Sequence, residues 1–183
     1  MWYNLAMDNI AYTKILPYQP IWPDKFQAEK AQLQHIFDDQ ALEIEHIGST
    51  SVVGLPAKDI IDIAVMIDYY ADADKFIEPL ATLGYKYDNP ATPGERHFFR
   101  KGDPIEYQLS IAYADRGGFW PRQIIFRDYL RAHEDRRDEY ADLKNKLLQQ
   151  DPTGGNEYIV GKSEFVAEIL RLAGWEYGRK YRD

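Results

Sequence analysis

The sequence predicts a small mixed β-sheet with helices before, within and after it, α+β or α/β. Three observations carry that expectation. Residues 60–67, IIDIAVMI, are apolar except for Asp62, and a short run rich in β-branched residues bounded by Gly and Pro reads as a buried strand. Residues 97–101 and 105–113 flank the tight turn Gly102-Asp103-Pro104 and read as paired strands. The last third, from Pro121 to Ala173, places apolar residues at three-to-four spacing among many charges, the pattern of packed helices.

Taken in order, residues 1–13 read as a loose arm. Pro23 is placed to open a helix over about 24–39, in which Phe26, Ala28, Ala31, Leu33, Ile36 and Phe37 recur at helical spacing. Trp22 and Phe26 read as its core anchors. A strand over about 43–47 leads into Gly48-Ser49-Thr50-Ser51, and a second strand over about 60–67 follows. Residues 72–83 form an amphipathic helix stopped by Gly84, Tyr85 opens a further extended piece, and 88–95 are turn-rich. Helices are expected over 121–133, 134–150 and 157–173, with the charge run at 134–139 as a solvated face.

At 183 residues the chain reads as one domain, 1–183, with a helical C-terminal part over 120–175. A formal net charge of −8 argues against broad binding to nucleic-acid backbones, yet leaves room for a local basic pocket for a nucleotide. There is no cysteine, hence no disulfide framework and no thiolate metal site. No apolar run approaches the roughly 20 residues of a membrane span, and the N-terminus lacks the basic-then-apolar order of a signal peptide. The cytoplasm is the expected location.

Chemistry is expected around residues 43–68. Gly48-Ser49 after a strand offers backbone N–H groups and a hydroxyl to an anion, although a plain tight turn would use the same residues. Asp62 sits in a strand that otherwise accepts no charge, so it needs a cation, a metal ion or backbone donors as partners. Magnesium takes one or two carboxylates plus substrate phosphates, which makes a second acid the next question. Asp59 is excluded by strand alternation, and position 64, on Asp62's face, is Ala. Glu106 is the better second acid, sharing a face with Gln108 and Ser110, unless those three are the polar outer side of an edge strand. Lys58 can balance Asp62 or hold phosphate, and Lys162, four residues from Tyr158 and on its face, can reach a triphosphate or simply be solvated. Arg96, Arg100 and Lys101 are alternative phosphate binders. Of the four histidines only His46, beside the Gly-Ser turn, draws notice, and no Walker, dinucleotide, nucleophile-elbow or zinc pattern is present.

Residues 46–62, HIGSTSVVGLPAKDIID, resemble the hallmark of the GrpB family, in which a GSTSVPGL-AKPIID string is typical. The likeness extends to Tyr18-x-Pro-x-Trp-Pro-x-x-Phe upstream, and downstream to Phe126-Arg-Asp-Tyr-Leu-Arg and Tyr158-x-x-x-Lys162-x-x-Phe165, so it spans about 15–173. The family is placed in the nucleotidyltransferase superfamily. The resemblance therefore implies an α+β, nucleotidyltransferase-like fold, with magnesium and a nucleoside triphosphate as ligands and an unknown acceptor. Carried over position by position, it implies nucleotide contacts at Gly48, Ser49, Thr50, Lys58 and Lys162, and metal and catalytic roles for Asp62 and Glu106, the latter as general base. The second carboxylate of the usual Asp-x-Asp pair falls on Ala64 and is missing. A lone Asp with a later Glu106-x-Gln108 is similar in outline to alarmone synthetases. Val53 and Asp59 replace family prolines, and Gln108 and Ser110 stand where relatives often carry histidines.

Three readings compete. A cavity holding both Asp62 and Glu106 would favour a metal-dependent nucleotidyltransferase. A cavity with Asp62 alone would favour a nucleotide- or small-ligand-binding protein with reduced turnover. Asp62 neutralised by Lys58 with no cavity would favour an interaction protein that docks through its acidic helical third.

Overall fold

The structure is a computed structural model that describes residues 14–88 and 94–175. The arm expected over 1–13 and the centre of the turn-rich stretch lie outside the described residues. The element order is α1 (Trp22–Phe37), β1 (Glu43–Ile47), β2 (Ile61–Ile67), α2 (Ile77–Thr82), β3 (Tyr85–Tyr87), β4 (His97–Lys101), β5 (Tyr107–Tyr113), α3 (Phe119–Ala132), α4 (Glu134–Gln150), α5 (Asn156–Gly161) and α6 (Ser163–Leu172). Short 3-10 turns occupy Asp38–Gln40, Ser49–Ser51 and Tyr70–Phe76. The fold is α+β. Two expected helices differ from the reading above. Residues 72–83 are a 3-10 stretch followed by a short α-helix, and 157–173 is two helices joined at Lys162.

The sheet runs β1-β2-β5-β4-β3 and is antiparallel except for the central β2–β5 pair. That order corrects one expectation: β5 is central, so Gln108 and Ser110 cannot be the outer face of an edge strand. Alternation then divides β2 and β5 cleanly. Ile61, Ile63, Val65 and Ile67, with Leu109, Ile111 and Tyr113, face a core closed by α1 through Trp22, Phe26, Leu33 and Phe37. The α1 stripe differs from the expected one, because Ala28 and Ala31 are exposed and Glu29 takes the buried position. Glu29 is tolerated there because Lys101 Nζ donates to both of its oxygens at 2.8 and 2.9 Å.

On the opposite face α3 covers the far half of the row. Phe119 and Trp120 pack on Ala64, Met66 and Ala112. Helices α3, α4 and α6 close on the loop after β1 through Val52, Leu55, Leu130, Tyr140, Phe165 and Ile169. Between these two clusters the near end of the row, Asp62 and Gln108, is left facing a cavity.

Candidate nucleotide and metal site

Register places the centre of the site. Ile47, the last residue of β1, pairs with Asp62 on β2, and Asp62 pairs with Gln108 on β5. The chain leaves β1 at Gly48 with φ +69° and ψ −174°, a conformation that side chains other than hydrogen rarely adopt. A Cβ at Gly48 would lie 2.2 Å from Asp62 Oδ2. Glycine is therefore required twice, by the turn and by the carboxylate packed on it.

The loop above this contact is tied down residue by residue. Ser51 Oγ donates to the Gly48 carbonyl at 2.6 Å, and Arg131 donates to the Ser51 carbonyl at 2.8 and 3.1 Å. Thr50 Oγ1 donates to the Ile60 carbonyl at 3.3 Å and lies 2.9 Å from His46 Nε2. His46 is buried against Phe26, and its pKa falls to about 4 because burial, then Arg131 and Arg127, oppose its charged form. It braces the loop as a neutral ring. Asp59, set aside on alternation, accepts from Trp22 Nε1 at 2.7 Å and pairs with Lys25.

Asp62 opens into a cavity of about 220 Å³ whose other polar walls include Ser49, Thr50, Lys58, Gln108, Lys144 and Lys162. Burial pushes the Asp62 carboxyl up to about 6, and Arg96, Lys162 and Lys58 act against that rise. Lys58 and Lys162 flank the ring of Tyr158, at 4.8 and 4.2 Å from its centroid. Lys162 is lowered to about 8 by burial and by Lys58, while Asp62 acts the other way. Arg96 lies between the rings of Phe98 and Phe119 and donates to Ser110 Oγ at 3.0 Å. One carboxylate among several cations makes a basic pocket inside an acidic chain.

A second cavity, of about 830 Å³, shares Ser49, Ile159 and Lys162 with the first. Its walls include Phe126, Tyr140, Leu170 and Trp175, with Arg122 and Arg171 as further cations. The two together span a range suited to a small-molecule ligand.

The structure thus brings together Gly48, Ser49, Thr50, Lys58, Asp62 and Lys162. It does not bring Glu106 to them. β5 begins at Tyr107, which pairs with Ile61, so Glu106 stands before the strand, exposed, against Gly102. It lines a different cavity with Lys14, Lys25 and Asp59. The position level with Asp62 is Gln108. Sequence reasoning also missed Lys144, buried in α4 within a charge-rich helix. The signal that could have found it is its place four residues after Tyr140 on that helix's buried stripe.

Among the described residues no group of three His, Cys, Asp or Glu is placed to hold a metal. Asp62 and Gln108, which line the cavity side by side, could give a magnesium two oxygen donors with the rest from phosphates and water, and do not make a cage built by protein alone.

The profile described as GrpB protein matches residues 13–172. The chain belongs to the GrpB family. A UPF0157 protein of Pseudomonas aeruginosa is 38% identical over 94% of this GrpB chain and 71% of its own length. A UPF0157 protein of Halalkalibacterium halodurans is 35% identical, with 93% and 86% covered. The dephospho-CoA kinase of Mycolicibacterium paratuberculosis is 30% identical over 96% of this chain, which spans only 49% of that protein. Among solved structures, GrpB from Enterococcus faecalis superposes with a TM-score of 0.80 at 32% identity, covering 87% of this chain and 96% of that one. The Cid1 poly(U) polymerase bound to Mg and 3′-dATP gives 0.55 at 12% identity, covering 80% and 49%. That likeness is one of fold, and the fold is nucleotidyltransferase-like.

Proposed function

We propose that the chain binds a nucleoside triphosphate with magnesium at Asp62, with reduced turnover, the reading favoured by a cavity that holds Asp62 without Glu106. The observation that carries this reading is the Asp62 carboxylate, held against Gly48 in a small cavity whose charged walls are otherwise lysines. A cavity of about 220 Å³ suits a phosphate chain rather than a whole nucleotide. Lys58 and Lys162 hold phosphate oxygens there, and the nucleoside lies in the larger cavity against Phe126, Tyr140 and Trp175. Gly48 lets the Asp62 carboxylate pack against the backbone beside that cavity. Bound magnesium would offset the charge of the phosphates and, were transfer to occur, the charge developing in an in-line displacement.

A second reading, transfer of the nucleotidyl group from that triphosphate to an acceptor, is supported by the nucleotidyltransferase-like fold; two observations weigh against it, since Glu106 lines another cavity and position 64 is Ala. Under either reading the ligand site is the same.

The test is thermal stability against a panel of nucleoside triphosphates, each with and without magnesium, on the wild type and Asp62→Asn. A ligand at a hundredfold excess over its Kd adds about 2.7 kcal/mol. A magnesium-dependent shift in the wild type that Asp62→Asn abolishes supports the site. No shift with any nucleotide sinks both readings. Pyrophosphate release on adding candidate acceptors then separates transfer from binding. The kinase-named relatives put dephospho-CoA on that acceptor panel.

A further inference from the structure

Lys144 is 2% exposed and lines the Asp62 cavity. Its Nζ donates to Ser49 Oγ at 3.2 Å and to the Pro56 carbonyl, the two ends of the loop that follows β1. It also lies 5.0 Å from the centroid of the Tyr140 ring. Among the described residues no carboxylate forms an ion pair with it. A buried ammonium held by neutral oxygens alone is costly, and the opening on its free side is the cavity. The charged and titratable groups around that cavity are Lys162, Lys58 and Asp62, with Tyr158 from α5 and Tyr140 from its own helix.

We infer that Lys144 positions the loop from Gly48 to Pro56 for an anionic ligand: its ammonium clamps both ends of the loop, and the charge it lacks is supplied by a bound polyphosphate. This rests on the phosphate reading of the cavity and adds a role to it. Lys144 acts through Ser49 and is a positioning residue.

A coupling to protons follows. Burial, then Lys162, lowers Lys144 to about 7, so near neutral pH the amine is partly uncharged when no ligand is bound. An anion against it favours the charged form and raises that value. Binding therefore takes up a proton, and affinity falls as pH rises above about 7.

The experiment is calorimetric titration of inorganic tripolyphosphate, without metal, in buffers of different ionisation enthalpy at pH 6 and pH 7.5. The ligand's own ionisation is common to every variant and cancels in comparison. The wild type should take up on the order of half a proton more at pH 7.5 than Lys144→Met, and bind about tenfold tighter at pH 6. Lys144→Arg, charged at all these values, should bind without that extra uptake. Equal affinity and equal uptake in Lys144→Met overturn the inference. Should Lys144→Met not fold, Ser49→Ala serves: it keeps the amine and its proton uptake but loses the link, so weaker binding supports the inference and unchanged binding overturns it. Wild type that binds no tripolyphosphate at either pH, with magnesium added or without it, removes the phosphate reading itself, a distinguishable result.

Discussion

Replacing Gly48 by Ala tests the geometry at its tightest point. The residue sits at φ +69° and ψ −174°, a region that costs a non-glycine residue about 1–3 kcal/mol. The new methyl would also lie 2.2 Å from Asp62 Oδ2 and 2.8 Å from both Cβ and Cγ of the same side chain. Asp62 cannot swing aside freely, because its Cβ is fixed by the β2 backbone between β1 and β5. Overpacking of this kind adds roughly 1–3 kcal/mol. The expected loss is therefore about 2–6 kcal/mol, read as a fall in the urea midpoint of about 2 M for a slope near 2 kcal/mol/M. The decisive arm is a double-mutant cycle with Asp62→Ala. That change removes Oδ2 and Cγ but leaves Cβ, so it should relieve part of the clash and none of the backbone strain. A coupling energy of about 1 kcal/mol or more is expected. Gly48→Ala within about 0.5 kcal/mol of wild type, or a cycle that closes to zero, would refute the contact.

The Asp62 carboxyl stands at about 6 against an ordinary 3.8, so the native state holds its proton more tightly than the unfolded chain and stability from this group falls as pH rises through that window. Asp62→Asn should therefore stabilise the ligand-free protein at pH 7.5, by at most roughly 3 kcal/mol, with the gain gone by pH 4 in thermal melts. Arg127 reaches Glu45 at 2.6 Å, Asp128 at 2.8 Å and the His46 carbonyl at 2.9 Å, so Arg127→Leu should cost about 3 kcal/mol in denaturant titration. Ala64→Asp, which writes in the missing second carboxylate, should lose at least about 3 kcal/mol and gain no magnesium affinity by calorimetry.

How much of this was legible in the chain depends on contrast between neighbouring residues. β2 stood out because its Ile-rich run is bounded by Gly and Pro, β1 because Ile44 and Ile47 lead up to the break at Gly48, and Asp62 because its neighbours are Ile61 and Ile63. Gly48 with Asp62 could be paired from loop length alone, yet the 2.2 Å approach that makes the glycine obligatory is a property of register. Glu106 was reached by counting in twos along β5. The period was right and the origin was not, since the row level with Asp62 starts at Gln108 and Glu106 falls beyond the start of β2. Lys144 was hidden by its surroundings: in a helix carrying Lys146, Asp142 and Glu139 one more lysine stands out only by its place four residues after Tyr140, and the packing of α4 on the loop is what buries it. Glu29 escaped for the complementary reason, because a lysine 72 residues away supplies its partner.

The missing second carboxylate has a structural cause that bears on the reaction. Ala64 is fully buried beneath Phe119 and Trp120, and Ser110, its partner across β5, is bonded to Arg96. The row that would carry an Asp-x-Asp pair is thus closed by α3 one step beyond Asp62, and an acid at 64 would face aromatic rings rather than the cavity. Conversely, the open side of Asp62 presents lysines and an amide. A site of that composition gains more from a ligand that brings its own negative oxygens than from a free metal ion, because each phosphate oxygen both completes a lysine and offers the metal a donor. Metal and nucleotide binding at Asp62 should therefore be mutually dependent. Magnesium alone should bind weakly, and tripolyphosphate should raise its affinity by the same factor that magnesium raises the affinity for tripolyphosphate.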